Sequence, residues 1–256
     1  MTENRDYGGR TALVTGASRG IGRAVAVALA ARGARVAVHY RARREEAERT
    51  LALLEGEGHE AFPADLADPE EARRLVDLAA DRLGGPHVLV NNAGLFDPAP
   101  IFDVGYDRWR RHWEKHLAVN LAGPANLMYL AGRRMAESGG GHIVNVTSRG
   151  AFRGEPEAPA YGASKAGLNA AGQSLAKALG PRGVYVMTVA PGWVETDMAK
   201  EYLEGAGGEE IRNQSPLRRA STPEEIAETV VFLASGRADY ATGCIVDVNG
   251  ASYLRT

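Results

Sequence analysis

The chain has 256 residues, with 31 glycines, 12 prolines, one cysteine and a net charge of −2 from 30 basic and 32 acidic side chains. Average usage predicts about 18 glycines at this length, an excess too small and irregular for collagen, and the 45% hydrophobic content excludes wholesale disorder. A single cysteine excludes an intramolecular disulfide scaffold and a thiolate zinc cluster, and the balanced charge predicts no nucleic-acid partner.

Met1-Thr2-Glu3-Asn4-Arg5-Asp6 has no apolar signal core. No apolar run nears the roughly 18 residues of a membrane span, so a soluble, cytoplasmic protein without a membrane partner is expected. Along the chain, a strand at Thr11–Thr15 leads to an alanine-rich helix at Ile21–Ala31, then a strand at Arg35–His39 and a helix at Arg43–Leu54. A third strand precedes Asp65, and a helix at Pro69–Leu83 starts from Asp68 as cap with proline in the first turn. A strand at Val88–Val90 follows, then one long helix over Tyr106–Met135, bent or interrupted at Gly123-Pro124. The remaining strands are Ile143–Val146, Val184–Val189 and Cys244–Val248. Between them lie helices at Ala163–Leu179, stopped by Gly180-Pro181, and at Pro223–Ala234, led by Ser221-Thr222. The stretch Met198–Gln214 reads as a mobile flap. Nearly continuous apolar strands alternating with helices predict a parallel sheet covered on both faces. With no repeat and no linker, one domain over residues 1–256 is expected.

The first strand runs directly into Thr15-Gly16-Ala17-Ser18-Arg19-Gly20-Ile21-Gly22 and a helix. Glycines at such a turn permit close approach of a pyrophosphate, and the helix N-terminus offers free N–H groups and a positive dipole end. The competing reading is a tight turn without a ligand. The spacing G-x-x-x-G-x-G resembles that of the short-chain dehydrogenase/reductase family. Asn91-Asn92-Ala93-Gly94 after the fourth strand is similar to the family's N-N-A-G element, and Pro191-Gly192 with Thr196 is similar to its P-G-x-x-x-T segment. The match runs from about Arg10 to Gly250. It implies an α/β, doubly wound Rossmann-type domain with a mostly parallel sheet of about seven strands. It also implies a nicotinamide cofactor held by Gly16, Ser18, Arg19, Gly20 and Ile21 at the phosphates. Tyr40, Arg41, Asp65 and Leu66 would lie at the adenosine end, with Asn92, Ala93 and Gly94 along the ribose. Pro191, Gly192, Val194 and Thr196 would lie at the nicotinamide end. Asp65 has the alternative role of capping the turn that follows it.

An NAD site usually carries an acid at the end of the second strand to hold the ribose 2′-hydroxyl. Here the chain reads His39-Tyr40-Arg41-Ala42-Arg43-Arg44, with no acid before Glu45. Arg19 and Arg41 can receive a 2′-phosphate through charge-assisted bonds, so NADP(H) is expected and NAD(H) is the alternative. Arg43 and Arg44 read as a solvated helix start paired with the glutamates that follow.

Tyr161 and Lys165 are four residues apart and share a helix face. A nearby ammonium favours tyrosinate and is expected to lower the tyrosine pKa toward a working acid/base range. Ser148 ends the fifth strand 13 residues earlier, and Asn120 lies in the preceding long helix. These four positions match the family's Asn, Ser, Tyr, Lys tetrad. The resemblance implies that Ser148 polarises a carbonyl, Tyr161 exchanges its proton, Lys165 holds the ribose hydroxyls, and Asn120 anchors a water leading from Lys165 to solvent. Tyr161 and Lys165 thus count among both catalytic and cofactor residues, and no metal is required. The three-residue gap between Tyr161 and Lys165 also speaks against the superfamily's enoyl reductases, which use a wider one.

His112 and His116, at i, i+4, lack a recognisable third ligand and read as an exposed or interfacial helix face. Trp109 and Trp113 read as packing or interface anchors, and Cys244 as a buried inert thiol. Trp193 is a candidate pocket wall, while Phe152, Arg153 and Glu155 are specificity candidates. The expected partner is a small carbonyl or alcohol, with an acyl thioester among the candidates because the general pattern resembles 3-oxoacyl-(acyl-carrier-protein) reductases. Arg133, Arg134 and Arg153 are suggestive of an acidic carrier. The family also implies a homotetramer. Two rival readings stay open, an NAD-dependent alcohol or sugar dehydrogenase and a non-catalytic nucleotide sensor. The sensor's usual mark, a broken tetrad, is absent.

Overall fold

A computed structural model describes residues 7–255. Seven strands form one sheet in the order β3-β2-β1-β4-β5-β6-β7, with every neighbouring pair parallel. They are β1 (Thr11–Val14), β2 (Arg35–Tyr40), β3 (Glu60–Pro63), β4 (Val88–Asn91), β5 (Gly141–Val146), β6 (Val184–Pro191) and β7 (Ile245–Val248). The helices are α1 (Gly20–Ala30), α2 (Arg44–Leu51), α3 (Pro69–Leu83), α4 (Tyr106–Leu117), α5 (Gly123–Glu137), α6 (Gly150–Arg153), α7 (Pro159–Leu179), α8 (Asp197–Glu204), α9 (Gly208–Asn213) and α10 (Pro223–Ala234).

Alternation along the central strands divides the core. Ala12 and Val14 of β1, with Val36, Val38, Val88, Val90 and Val144, pack beneath α1 and α10. Leu13, Ala37, Leu89 and Ile143 point the other way, onto α3, α5 and α7. Strand order reverses between β1 and β4, and the crevice at their carboxyl ends is where doubly wound sheets place ligands. Among the described residues no helix is long and apolar enough to cross a membrane.

The long helix expected over Tyr106–Met135 is divided. A π-helical turn, Ala118–Ala122, separates α4 from α5 and carries Asn120 into the interior. Gly123 lies just beyond it because the backbone there abuts the Leu66 turn, where an added Cβ would lie 2.6 Å from the Leu66 carbonyl oxygen. Helix α7 begins four residues before the expected start, with Pro159 in its first turn, so Tyr161 is helical. The expected flap at 198–214 folds instead largely into α8 and α9.

Candidate active site

The glycine loop is fixed from three sides. Thr15 Oγ1 donates to the Val90 carbonyl at 3.2 Å and accepts from the Asn92 and Ala93 amides, each at 2.9 Å. Asn92 Nδ2 donates back to the Thr15 carbonyl at 2.9 Å. His39 Nδ1 accepts from the Gly16 amide at 3.0 Å, while its Nε2 lies 3.0 Å from the Ala64 carbonyl. Burial lowers the His39 pKa to about 4, so the ring is neutral and can accept the Gly16 proton. The residue that directs the loop from β2 is thus a histidine that the sequence reading passed over.

Gly16 and Gly20 have φ of +63° and +54°, a region that favours glycine. Unlike α3 and α10, which Asp68 and Thr222 cap, α1 has no side-chain cap and no acid in its first turn. Its leading N–H groups therefore stay available to an anion at the positive end of the dipole. This supports the fit of a pyrophosphate. Thr196 lies beside the loop, with its Cγ2 3.2 Å from where a Gly20 Cβ would stand.

At the adenosine end the picture is mixed. Tyr40 and Leu66 are buried, and Asp65 accepts from the Ala67 amide at 3.0 Å, which is the capping role. Arg41 is exposed, with no hydrogen-bond or ion-pair partner among the described residues. Arg19 is engaged by Asp197 of α8 at 2.7 Å. Arg44 pairs with Glu48, as a solvated helix start should. Arg43 is exposed at the N-cap of α2, also a solvated helix start.

The four tetrad positions converge. Ser148 Oγ accepts from the Gly150 amide at 3.0 Å and stands close enough to Tyr161 to favour its ionised form. Lys165 Nζ donates to the Val146 carbonyl at 2.9 Å and would stand 3.3 Å from a Gly94 Cβ. Asn120 is fully buried, with Oδ1 accepting from the Leu95 amide at 2.9 Å and Nδ2 donating to the Leu95 carbonyl at 3.0 Å and Ser164 Oγ at 3.2 Å. A phenol beside a serine hydroxyl at a strand end can deliver a proton to an oxygen that both of them reach.

One expectation is corrected. Lys165 does not depress the Tyr161 pKa, because its ammonium is drawn to Val146, 5.9 Å from the centre of the phenol ring. Burial, with a smaller push from Glu155, raises Tyr161 to about 12 despite the nearby Ser148 hydroxyl. Burial also lowers Lys165 to about 8.

Tyr161 and Ser148 open onto a cleft whose walls include Ile21, Pro191, Gly192, Val194 and Thr196. Trp193, Arg153 and Glu155 line it as expected, whereas Phe152 stacks under the Arg255 guanidinium at 4.3 Å. The sequence reading missed Phe96, Arg149 and Met198 in the lining. Phe96 meets the Tyr161 ring edge-on at 5.0 Å, and Tyr202 bridges Phe96 and Trp193 at 5.8 and 5.7 Å. No periodicity marks these residues, since the segment after Gly94, the turn between β5 and α6, and α8 contribute them separately.

His112 and His116 correct another expectation, being 5% and 0% exposed rather than on an exposed face. Their rings stack at 4.1 Å, and His116 Nδ1 lies 2.8 Å from the His112 carbonyl. No group of three or more potential metal ligands occurs among the described residues. Cys244 is only half-buried and just precedes β7, and burial raises its thiol pKa.

A family model described as enoyl-(acyl carrier protein) reductase matches residues 16–251. The chain is 36% identical over 247 residues to the 3-oxoacyl-(acyl-carrier-protein) reductase FabG of Staphylococcus aureus, covering 96% of this chain and 98% of that one. It is 37% identical over 250 residues to a D-threitol dehydrogenase of Mycolicibacterium smegmatis, covering 96% and 94% of the two chains. A solved structure described as a short-chain alcohol dehydrogenase from Sinorhizobium meliloti superposes with a TM-score of 0.89 at 38% identity, covering 97% and 98%. The chain belongs to the short-chain dehydrogenase/reductase family. It is an oxidoreductase of the NAD(P)-dependent kind.

Proposed function

We propose that this enzyme reduces a ketone or aldehyde to an alcohol with NADPH and can run the same reaction in reverse. The observation that carries this reading is the Tyr161 phenol and Ser148 lining one cleft, close enough for the serine to act on the phenol's ionisation, with Lys165 one helical turn on. When bound, the nicotinamide supplies or accepts the hydride. Ser148 orients the substrate carbonyl by donating to its oxygen. Tyr161, kept protonated by a pKa of about 12, gives that oxygen its proton as negative charge develops there. In the oxidative direction the same phenol oxygen accepts the proton, so alkaline conditions favour that direction. Lys165 holds the ribose hydroxyls, and Asn120 fixes the Leu95 backbone beside it and anchors the water path to solvent. The three residues between Tyr161 and Lys165, against the wider gap of the enoyl reductases, favour carbonyl over enoyl reduction.

The uncapped α1 N-terminus, with Gly16, Ser18, Arg19, Gly20 and Ile21, receives the pyrophosphate. Asp65, Leu66 and Tyr40 border the adenosine. Asn92, Ala93 and Gly94 support the ribose, and Pro191, Gly192, Val194 and Thr196 border the nicotinamide. Arg41, exposed and unpaired among the described residues, takes the 2′-phosphate together with Arg19, whose exposed ion pair with Asp197 is of the weak, solvent-screened kind. That pair is also the observation favouring a second reading, oxidation of a polyol with NAD⁺, the activity named for the D-threitol dehydrogenase relative. A panel of ketones, aldehydes and polyols assayed with NADPH, NADH and their oxidised forms separates the two. Ketone reduction at least tenfold better with NADPH is expected. Polyol oxidation with NAD⁺ as the dominant activity establishes the second reading, and no turnover on any substrate removes both.

A further inference from the structure

Arg149 directly follows Ser148, and its amide donates to the Pro191 carbonyl at 2.9 Å, which fixes it at the strand end. The residue is only 3% exposed. Its Nη2 bonds the neutral amide oxygen of Gln214, and its buried Nη1 has no acceptor. No carboxylate pairs with it among the described residues. The acid close enough to influence it, Glu155, is held instead by Arg153, with contacts of 3.2 and 3.3 Å. Burial, reinforced by the Arg153 charge, lowers the Arg149 pKa to about 10, so the side chain is still a cation at neutral pH. A buried guanidinium without a counter-charge is destabilising, and proteins normally pair such a group.

A second orphaned donor stands nearby. Trp193 Nε1 is buried with no acceptor among the described residues. Arg149 and Trp193 both line the cleft at Tyr161 and also a second cleft adjoining it. The other polar groups of that second cleft are already satisfied within the protein. Arg219 pairs with Glu225 at 2.6 Å, Ser215 Oγ donates to the Gly250 carbonyl at 2.6 Å, and Ser221 Oγ donates to the Trp193 carbonyl at 3.2 Å. What remains unmatched there is one buried cation and one indole N–H, both donors.

We propose that Arg149 is an anion-recognising residue of the substrate site, and that the substrate is an oxo or hydroxy compound bearing a carboxylate, which seats against Arg149 beside Trp193. A carboxylate supplies the missing negative charge and several acceptor lone pairs, and its plane matches the guanidinium fork. The oxo or hydroxyl group then faces Ser148, one residue away. This rests on the reading that Ser148 and Tyr161 receive the reacting oxygen. It departs from the carrier-bound thioester in the name of the Staphylococcus aureus relative, because a thioester has no carboxylate at that end.

The test uses acetoacetate, levulinate and 5-oxohexanoate beside their methyl esters, with NADPH and NADH. For at least one chain length the acid should exceed its ester tenfold or more in kcat/KM, mainly through KM. Arg149→Met should bring that acid-to-ester ratio to about one, and Arg149→Lys should retain part of it. A ratio near one in the unmodified enzyme, which needs no variant, overturns the proposal, as does a ratio unchanged in Arg149→Met. Binding is read separately from turnover by the quenching of tryptophan fluorescence in the presence of NADP⁺. Should no ketone be turned over, quenching by levulinate but not methyl levulinate, lost in Arg149→Met, supports the anion site while the carbonyl reading falls. Absence of both turnover and quenching by all three acids overturns the anion site as well.

Discussion

Lys165 donates to the Val146 carbonyl at 2.9 Å, so its ammonium is anchored on β5 and not on the Tyr161 hydroxyl. Both side chains are consequently titrated by their burial, and in opposite directions. Lys165 falls from its ordinary 10.5 to about 8, while Tyr161 rises from 10 to about 12. Between pH 8 and 10.5 the unfolded chain holds a proton on this lysine that the folded chain has lost, so stability rises with pH through that window. At one pKa unit per 1.36 kcal/mol, the lysine's share of that rise is about 3 kcal/mol. Between pH 10 and 12 the folded chain keeps the Tyr161 proton that the unfolded chain loses, and stability falls. Urea denaturation of the parent and Lys165→Met across pH 7 to 12 should show a stability difference that changes between 8 and 10.5. Tyr161→Phe should remove the part of the decline above pH 10 that belongs to this residue. Differences independent of pH in both variants contradict the assignment.

Tyr161→Phe removes the proton donor but keeps the ring that Phe96 meets edge-on at 5.0 Å. Proton transfer by a positioned side chain contributes about 10²–10⁴-fold, so kcat should fall by that order with little change in cofactor affinity. Ser148→Ala deletes a hydrogen bond to the developing oxyanion and should lower kcat by about 10²–10³-fold. Steady-state kinetics on the best ketone substrate, with cofactor binding measured by fluorescence, check both. A Tyr161→Phe enzyme with parental kcat removes the tyrosine from the chemistry.

Much of this was legible in the chain because the signals are local. The Asp68-Pro69 start gives α3 the bounds read from sequence, Pro69–Leu83, and Thr222 with Glu225 forms a capping box at α10. Strand β3, Glu-Ala-Phe-Pro, has no β-branched residue and lies at the sheet edge, where proline is tolerated, so periodicity could not delimit it. Helices α8 and α9 were hidden by the glycines at 205, 207 and 208, which read as loop but serve the junction between two short helices. The tetrad residues were legible by type and spacing. The tilt of Lys165 toward Val146, the neutral His39 beneath Gly16 and the unpaired Arg149 were not, because each depends on a partner from another strand or helix.

Arg19 and Asp197 set up a competition at the mouth of the cofactor cleft. Their ion pair, 2.7 Å apart with the side chains 38% and 62% exposed, is weak enough to exchange for a phosphate. The Asp197 carboxylate would nonetheless repel a 2′-phosphate held by Arg19. Asp197→Asn should therefore raise kcat/KM for NADPH severalfold through KM, with a smaller effect on NADH. Arg41→Ala should lower the NADPH value about tenfold or more and leave NADH nearly unchanged. Equal effects on both cofactors would place the 2′-position away from these arginines.

Gly22 offers the sharpest steric test of the loop. A Cβ there would lie 2.4 Å from the Gly16 carbonyl oxygen and 2.5 Å from Asn92 Nδ2, so it displaces backbone as well as the side chain that ties the loop to β4. Overpacking of this kind costs about 1–3 kcal/mol, and the same movement disturbs the α1 N-terminus that would hold the pyrophosphate. Gly22→Ala should thus lower the melting temperature by about 2–4 °C per kcal/mol lost and weaken NADPH binding at least tenfold. Gly105 is the control, since its φ is −73°, nothing lies within 4 Å of an added Cβ, and no proline follows it. Gly105→Ala should change stability by less than about 1 kcal/mol, the loss of a helix-capping glycine offsetting the gain through the unfolded chain, and leave NADPH affinity unchanged. Calorimetry and a fluorescence titration on the two variants separate a steric requirement at the phosphate turn from a general effect of replacing glycine, because only the first alters both readouts together.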